Sequence, residues 1–559
     1  MVSGAKTQLP TYRITIKLKV TPTKKTKRVA IIGSGPGGIV AAKYAAEAGL
    51  TPVVFDRKDT PGGLWTEGTA IWDGMHTNVS RYSVMFSDFP WPDSANVVPS
   101  ARDVYDYLIR YIRHFDLEKY FKLNTFVESV KYLPNKKWQV TWTNNLTKER
   151  ITEIFDFCIC ATGVHCKSII PKIDNAENFK GVIVHSAKYK SNDERLKNKK
   201  VVVVGNSYSG VEISSHLVGH AKSVINVFNR PYLVFPRLLK VESKNKNEKN
   251  MYHIIPIDML FGRELTFTNG TKEEERQAKI NLYSKLCPHQ TNKKLAHPAM
   301  YYELNNDEPI REAVTDNYYP YVRQGKIIPR QTKIKRYEKD GVIYEDGTYE
   351  KVDAVIYCTG YRLCLDYFEE SVLRTLKYDP NNEKSPLTLY KFTVHPDLEN
   401  LALIGKYNGL FYAGFELQAK WAIKIFTGEK QLPKKEVMYS DMRKDELNFL
   451  KMKNNQYQHG VYNELIDTLA VESDSLPDFA QVAKQDTKLF EMLWKNGTIP
   501  SHFCFNTNKE FSIRMMKEVD DIINKKYYLD EREAYDTPTS RLASKFSKNF
   551  RIPLHLFKD

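Results

Sequence analysis

The sequence predicts an α/β protein with two doubly wound parallel sheets, and three observations lead to this prediction. Two glycine-rich turns of the same design occur at 33–38 and 205–210. Each turn follows a short apolar strand and precedes a helical stretch, so each belongs to a βαβ unit. The chain has 559 residues, more than one hydrophobic core usually serves, so we expect at least two domains.

The first βαβ unit is complete in the sequence. We predict a strand at Arg28–Ile32, an alanine-rich helix after the turn, and a second strand at Thr51–Phe55 that leads into Asp56. Gly49 stands where a helix-ending glycine is expected.

The second unit repeats this order. We predict a strand at Lys200–Val204, a helix that reaches Gly219, and a strand at Ser223–Phe228. Two further segments, 155–163 and 352–360, resemble each other, and each is predicted to be a strand that runs into a Thr-Gly pair. We interpret them as the points where the chain crosses between domains.

The first glycine turn has the Gly-x-Gly-x-x-Gly spacing of a dinucleotide-binding loop. Gly33 permits the tight turn, Gly35 lets the backbone approach a pyrophosphate, and Gly38 lets helix and strand pack closely. The helix N-terminus offers N–H groups to the phosphates, and Asp56 is placed to accept hydrogen bonds from ribose hydroxyls. The predicted cofactor contacts are Gly33, Ser34, Gly35, Pro36, Gly37, Gly38 and Asp56.

The second glycine turn has a serine, Ser207, where the second glycine is usual. The serine allows a slightly less close approach but adds a hydroxyl donor. The following strand ends at Arg230 rather than at an acid, and an arginine pairs with a 2′-phosphate that an acid would repel. This turn therefore predicts NADPH rather than NADH, with contacts from Gly205, Ser207, Tyr208, Ser209, Gly210 and Arg230.

Two segments after the first unit are candidates for contact with a flat ring system. The glycines before Trp65 allow a close approach, and the Trp65 ring is able to form a wall. The Asn78 amide both donates and accepts hydrogen bonds. Taken alone, the segment with Trp65 is equally well explained as a plain turn, and a lone asparagine such as Asn78 is more often a turn residue. The predicted contacts are Gly63, Leu64, Trp65, Thr77, Asn78 and Val79.

Together these features resemble the flavin-containing monooxygenase family. The segment from Phe179 through Gly181 and His185 to Tyr189 matches that family's identifying motif at every fixed position. Tyr189 is similar to the branch that oxygenates nitrogen and sulfur, since ketone-oxygenating relatives usually carry Trp there. We interpret His185 as a residue that hydrogen-bonds backbone and holds a linker, and Tyr189 as structural.

The resemblance implies an enzyme that uses FAD and NADPH. NADPH would reduce FAD, O2 would add at flavin C4a to form a hydroperoxide, and one oxygen atom would pass to an amine or sulfide of a small molecule. The resemblance also implies catalytic roles for Asn78, facing flavin and nicotinamide, and for Tyr208, beside the nicotinamide, with Gln418 near the rim of the flavin domain. No metal site is expected.

Other functions stay open. A Baeyer–Villiger ketone oxygenase would use the same oxygenated flavin as a nucleophile. A pyridine nucleotide–disulfide reductase shares the two-dinucleotide layout but needs a reactive cysteine pair, which the sequence does not show. An NADPH oxidase or a non-catalytic FAD and NADPH redox sensor would form no oxygenated product.

The predicted NADPH domain is inserted into a discontinuous FAD domain. The expected order is a basic N-terminal arm at 1–27, an opening FAD-domain segment at 28–165, the NADPH domain at 166–330 with an insert at 236–320, a closing FAD-domain segment at 331–433, and a helical region at 434–559. The arm and the insert have no clear counterpart in the family, so we expect unmatched segments to line the substrate pocket.

The formal net charge is +16, but the basic residues are spread along the chain and no nucleic-acid module is visible. We therefore predict no nucleic-acid partner, while a basic surface suits anionic cofactors and weak association with anionic membranes. No apolar run is long enough for a transmembrane segment. Seven cysteines without a secretory leader favour the cytoplasm, with the endoplasmic reticulum surface or, from the basic N-terminus, mitochondria as alternatives. A homodimer is compatible with the resemblance.

Overall fold

A computed structural model describes residues 26–242, 252–265, 272–304, 310–379, 387–407, 412–451 and 462–524. The predicted basic arm lies outside these residues, apart from its last two positions. Within the described ranges, no helix is long and apolar enough to cross a membrane.

The strands of the described residues are, in chain order, β1 (Arg28–Ile32), β2 (Thr51–Phe55), β3 (Phe121–Lys122), β4 (Thr125–Tyr132), β5 (Trp138–Asn144), β6 (Arg150–Phe155), β7 (Phe157–Cys160), β8 (Lys167–Ser168), β9 (Val182–His185), β10 (Lys200–Val204), β11 (Ser223–Phe228), β12 (Leu233–Phe235), β13 (Leu238–Glu242), β14 (Tyr252–Pro256), β15 (Glu312–Val314), β16 (Ile327–Gln331), β17 (Ile334–Glu338), β18 (Gly341–Tyr344), β19 (Tyr349–Lys351), β20 (Ala354–Tyr357), β21 (Tyr361–Arg362), β22 (Val394–His395) and β23 (Leu398–Leu403). The helices are α1 (Pro36–Glu47), α2 (Ala101–His114), α3 (Tyr208–Leu217), α4 (Lys272–Leu286), α5 (Pro288–Thr291), α6 (Tyr318–Arg323), α7 (Glu370–Thr375), α8 (Tyr412–Thr427), α9 (Lys435–Lys451), α10 (Tyr462–Glu472), α11 (Phe479–Gln485), α12 (Thr487–Lys495) and α13 (Lys509–Asn524).

The first sheet has the strand order β22-β23-β7-β1-β2-β3. Its pairs are parallel except for the edge pair β22 and β23. The predicted bounds of β1 and β2 are confirmed, and α1 ends just before Gly49, whose φ of +72° suits a helix-ending glycine. This sheet is the first of the two predicted doubly wound units.

The C-terminal helices α9 and α10 contribute to the hydrophobic core of the first sheet. Met438 of α9 and Leu465 and Ile466 of α10 share one buried core with Val29 and Ile31 of β1. The predicted helical C-terminal region is therefore confirmed for the described residues, and its helix α10 packs on α8.

The second sheet has the order β16-β11-β10-β20-β9, and every pair is parallel. The predicted bounds of β10 and β11 are confirmed. The expected boundary near residue 330 is wrong for this sheet, because β20 pairs with both β10 and β9 and so extends the second unit to Tyr357. Apolar alternation alone does not reveal which sheet a strand joins.

The two segments that end in Thr-Gly connect the two sheets, as predicted. β7 lies in the first sheet and the next strand, β8, leads out of it, while β20 lies in the second sheet and leads into β21. β8 and β21 pair with each other in antiparallel register, with Tyr361 opposite Ser168. The outgoing and returning crossings therefore run side by side.

Candidate active site

One cavity touches both glycine turns. Its volume is about 1560 Å³, which exceeds the roughly 300–1000 Å³ of most small-molecule sites. The first βαβ unit contributes residues 32–37 and 55–58, and the second contributes Tyr208, Ser209 and Glu212. The cavity therefore has room for more than one ligand.

The backbone of the first glycine turn leaves no room for a side chain at two positions. A Cβ atom on Gly33 would lie 2.6 Å from the carbonyl oxygen of Ala161, and one on Gly38 would lie 1.9 Å from the carbonyl oxygen of Gly33. Helix α1 begins at Pro36, and its N-cap residue Gly35 provides no side-chain hydrogen bond. The first N–H groups of α1 are thus not taken by a capping side chain.

Asp56 holds the first turn in place. Its Oδ2 accepts hydrogen bonds from the amide of Ser34 at 2.9 Å and from the hydroxyl of Ser34 at 2.6 Å. Its Oδ1 accepts one from the amide of Lys58 at 3.0 Å. These bonds use three of the roughly four acceptor positions of a carboxylate. Asp56 therefore makes the turn rigid and retains one position for a ligand donor.

A second backbone segment lies directly against the first turn. A Cβ atom on Gly63 would lie 2.6 Å from the Cα of Gly35, and Gly63 has a φ of +60°. The short helix that starts there carries Leu64 and the buried ring of Trp65 to the cavity wall. Two glycines thus leave flat backbone surfaces beside an aromatic wall.

The second glycine turn repeats the geometry of the first. A Cβ atom on Gly205 would lie 2.5 Å from the carbonyl oxygen of Cys358, and one on Gly210 would lie 2.1 Å from the carbonyl oxygen of Gly205. Helix α3 starts after Ser207, which forms no side-chain cap. The turn is anchored by buried Asn206, which donates to Asn226 Oδ1 at 2.9 Å.

Asn78 is held by an arginine from the second unit. Its Oδ1 accepts a hydrogen bond from Arg237 at 3.3 Å, and the neighbouring carbonyl of Thr77 accepts one from Arg237 Nε at 2.9 Å. Arg237 is buried and forms ion pairs with Glu212 at 2.6 Å and with Asp316 at 3.4 Å. Burial alone would lower the pKa of Arg237, but these two carboxylates outweigh it and raise that pKa. The arginine therefore stays charged and sets the position of the Asn78 amide.

Asp258 secures the segment that follows Asn78. It accepts hydrogen bonds from the amide of Ser80 at 3.0 Å and from the hydroxyls of Ser80 and Ser83, each at 2.7 Å. Burial raises the pKa of Asp258, although the serine hydrogen bonds oppose this shift. The predicted insert at 236–320 thus holds the 77–83 segment at two points, through Arg237 and Asp258.

One region of the cavity is lined by apolar and aromatic side chains. We call it the apolar lobe, and it lies beside Tyr208 and consists of Phe235, Ile257, Phe261, Tyr283, Ile310 and Val314. Glu312 lines the same cavity, and burial raises its pKa to about 7. The apolar lobe therefore offers a hydrophobic surface, and Glu312 is a titratable acid in the same cavity.

The structure brings most of the predicted site residues to the cavity wall. These are Gly33, Ser34, Gly35, Pro36, Gly37, Asp56, Gly63, Leu64, Trp65, Thr77, Asn78, Val79, Tyr208 and Ser209. It does not bring Gly38, Gly205, Ser207, Gly210, Arg230 or Gln418 to that wall.

Gln418 has a different position from the expected one. Its side chain is fully buried, donates to the carbonyl of Phe392 at 2.9 Å, and accepts from the amide of Gly405 at 2.8 Å. Gly405 lines the cavity. Gln418 therefore supports a wall residue from behind. Arg230 lies exposed just after β11.

His185 and Tyr189 are both held by hydrogen bonds. His185 Nδ1 accepts from the amide of Ala187 at 3.1 Å, and its Nε2 lies 3.1 Å from the carbonyl oxygen of Gly360. Tyr189 is buried and its hydroxyl is hydrogen-bonded to His216 at 2.7 Å. His185 thus joins the end of β9 to the returning crossing.

Sequence reasoning missed the charged residues that organise this site: Arg237, Asp258 and Glu312. Asp258 interrupts apolar neighbours in the sequence, Glu312 precedes the apolar pair Ala313 and Val314, and Arg237 follows an apolar strand. Charged residues with apolar neighbours are rarely buried unless they are paired, so this pattern was the available signal. It indicates burial but does not identify the partner.

The chain matches known proteins over most of its length. A family model described as flavin-binding monooxygenase-like matches residues 26–514. Flavin-containing monooxygenase 5 of Homo sapiens is 29% identical over 504 residues, which cover 85% of this chain and 88% of that protein. Dimethylaniline monooxygenase [N-oxide-forming] 2 of Mus musculus is 28% identical over 490 residues, covering 84% of this chain and 86% of that protein.

The fold also matches a solved structure. S-allyl-L-cysteine S-oxygenase from Allium sativum superposes with a TM-score of 0.59 at 19% identity, covering 89% of this chain and 99% of that one. At this level of identity the likeness concerns the fold.

Proposed function

Because the chain belongs to the flavin-binding monooxygenase-like family, we propose that it transfers one oxygen atom from O2 to an amine or sulfide of a small molecule. As a member of this family it is an FAD-dependent monooxygenase, and its cofactors are FAD and NADPH. The observation that carries the proposal is the single cavity that touches both glycine turns.

We assign FAD to the first turn. Glycines at 33, 35, 38 and 63 keep this region of the wall free of side chains, and the uncapped N-terminus of α1 suits a pyrophosphate. Asp56 has one acceptor position left for a ribose hydroxyl. The Trp65 ring suits one face of a flat ring system. The residues present thus fit a flavin dinucleotide.

We assign NADPH to the second turn. Its glycine geometry repeats that of the first turn, and Tyr208 and Ser209 reach the shared cavity. Asn229 and Arg230 follow β11, so the strand does not end in an acid, which would repel a 2′-phosphate. The first sheet and the crossing strands would then form a discontinuous FAD domain, and the second sheet to Tyr357 the NADPH domain.

FAD, when reduced by NADPH, supplies the activated oxygen in this family, so the protein needs no side-chain nucleophile. The work of the chain is to hold the two cofactors in register and to exclude water. Arg237 keeps the Asn78 amide at a fixed point on the wall between the two turns. Asn78 is thus the residue that we propose orients the flavin against the nicotinamide.

We propose that the substrate enters the apolar lobe. It lies beside Tyr208, on the side of the cavity that the second unit forms. Apolar surface there excludes water and binds the hydrocarbon portion of an amine or sulfide.

Rapid mixing of the NADPH-reduced enzyme with O2 tests the proposal. We expect a long-lived C4a-hydroperoxyflavin spectrum and, with a paired sulfide and ketone, a sulfoxide as the main product. Prompt return to oxidised flavin with release of hydrogen peroxide would contradict oxygen transfer. An ester as the main product would instead identify a ketone oxygenase.

A further inference from the structure

Two cysteines that are far apart in the sequence meet on the two crossings between the sheets. Cys166 precedes β8 and Cys364 follows β21, and these strands pair in antiparallel register. Cys166 comes directly before Lys167, which pairs with Arg362, and Cys364 lies two residues after Arg362, so the two side chains are neighbours and each thiol shifts the pKa of the other. Both are partly exposed and both line the cavity. No Cys-x-x-Cys motif in the sequence signals such a pair.

The surroundings of Cys166 favour its thiolate form. The hydrogen bond from the Cys364 thiol lowers the pKa of Cys166 to about 6, with further help from the positive charges of Lys406 and Arg57. Lys406 is fixed nearby, because it donates to the carbonyl of Gly163 at 2.6 Å. A thiolate that is accessible and lies beside a second thiol has the features of a redox-sensitive cysteine.

The other five cysteines have a different environment. All five are buried. Burial raises the pKa of Cys158, Cys287, Cys358 and Cys504, which keeps their thiols protonated and unreactive. Of the seven cysteines in the chain, Cys166 and Cys364 are therefore the two that are partly exposed, and they are also neighbours of each other.

We propose that Cys166 and Cys364 form a reversible disulfide when the enzyme meets hydrogen peroxide. The Cys166 thiolate attacks one peroxide oxygen, the O–O bond breaks, and hydroxide leaves, which gives a sulfenic acid. Cys364 then attacks the Cys166 sulfur, the S–O bond breaks, and water leaves as the S–S bond forms. Two thiols lose two electrons and two protons in total, and one peroxide becomes two waters.

Such a bond would join the outgoing and returning crossings. Strands β9 to β20, which include the whole second sheet, lie between Cys166 and Cys364 in the chain. The disulfide would therefore tie both covalent connections of the second unit together at one point on the cavity wall. The site is a modification site, and its chemistry does not depend on the proposed substrate.

Counting thiols tests the proposal directly. Flavin-loaded enzyme is treated with hydrogen peroxide, quenched, unfolded, and titrated for free thiols. We expect the count to fall from seven by two, to return to seven after dithiothreitol, and peptide mapping to show Cys166 joined to Cys364. A count that stays at seven, or missing thiols that map to other cysteines, would overturn the proposal.

Two variants sharpen this result. Cys364→Ala should block the disulfide and leave Cys166 to accumulate as sulfenic acid, which a dimedone label detects. Cys504→Ser, a matched control at a buried site, should still lose two thiols. Equal disulfide formation in Cys364→Ala and wild type would contradict the pairing.

The pH dependence of alkylation gives an independent measurement that needs no peroxide. In the wild type we expect the rate of Cys166 labelling by iodoacetamide to rise with a midpoint near the pKa of about 6. In Cys364→Ala the midpoint should move upward, because the donating thiol is gone. An unchanged midpoint would show that the two sulfurs do not interact.

Discussion

Replacing Arg237 with methionine removes a buried guanidinium group while it keeps much of the side-chain volume. Arg237 is 6% exposed and pairs with Glu212 and Asp316. Removing one partner of a buried ion pair costs about 3–5 kcal/mol, because the remaining charge is left uncompensated. The lost hydrogen bond to the Thr77 carbonyl adds about 1 kcal/mol. We therefore expect the free energy of unfolding to fall by about 4–6 kcal/mol at neutral pH.

Urea denaturation of the wild type and the variant at equal flavin loading measures this loss. Arg195→Met is the control, because Arg195 is 58% exposed in its pair with Asp193 and a surface pair contributes only about 0–1 kcal/mol. The loss should shrink as the pH falls, because burial raises the pKa of Asp316 and its protonation removes one uncompensated charge.

The same variant should also uncouple the reaction. Asn78 loses the donor that holds its Oδ1, so we expect less oxygenated product for each NADPH oxidised. If Arg237→Met changes neither the free energy of unfolding nor the yield of product per NADPH by more than Arg195→Met does, the proposed role of Arg237 is refuted.

Three further changes test other regions of the site. Asn78→Ala should reduce oxygenated product more than it reduces bound FAD, and an equal loss of both would contradict its proposed role. Gly63→Ala should lower the flavin content of the purified protein, because its Cβ would lie 2.6 Å from Gly35 Cα. Gly347→Ala controls for backbone strain, because φ is also positive there but no atom would lie within 4 Å of the added Cβ. Glu312→Gln should raise stability at about pH 8 by up to about 3 kcal/mol and leave it unchanged at about pH 4. The pKa of Glu312 is raised from 4.5 to about 7 in the folded state. As the pH rises through this range, Glu312 ionises in the unfolded chain before it ionises in the folded protein, so the wild type loses stability. A Glu312→Gln variant whose stability difference does not depend on pH would show that this carboxyl group is not buried in the cavity wall.

The fold of the two βαβ units could be predicted because its determinants are local. The bounds of β1, β2, β10 and β11 follow from short apolar runs next to glycine turns. The glycine spacing reflects backbone requirements at single positions. At Gly38, for example, a Cβ atom would lie 1.9 Å from the carbonyl oxygen of Gly33. Each of these signals lies within about 30 residues of the element it predicts, the span of one βαβ unit.

The domain boundary and the position of Gln418 could not be predicted in this way. β20 joins the second sheet because it pairs with β10 and β9, and neither partner adjoins it in the sequence. Gln418 supports Gly405 from inside the core instead of facing the cavity, because its amide is used by Phe392 and Gly405. Both the pairing of β20 and the position of Gln418 depend on which backbone groups, distant in the sequence, still need a hydrogen-bond partner.

Local patterns were thus enough for the class of fold, the two glycine-rich turns and the family, because glycine spacing and strand periodicity express constraints on neighbouring residues. Long-range packing was needed to reveal that Arg237 holds Asn78, that Glu312 is the acid beside the apolar lobe, and that Cys166 meets Cys364. Each of these depends on segments that are distant in the chain and come into contact only when the two sheets pack around one cavity. Burial then converts ordinary side chains into charged, titratable or reactive groups, because it replaces water with a small number of specific partners.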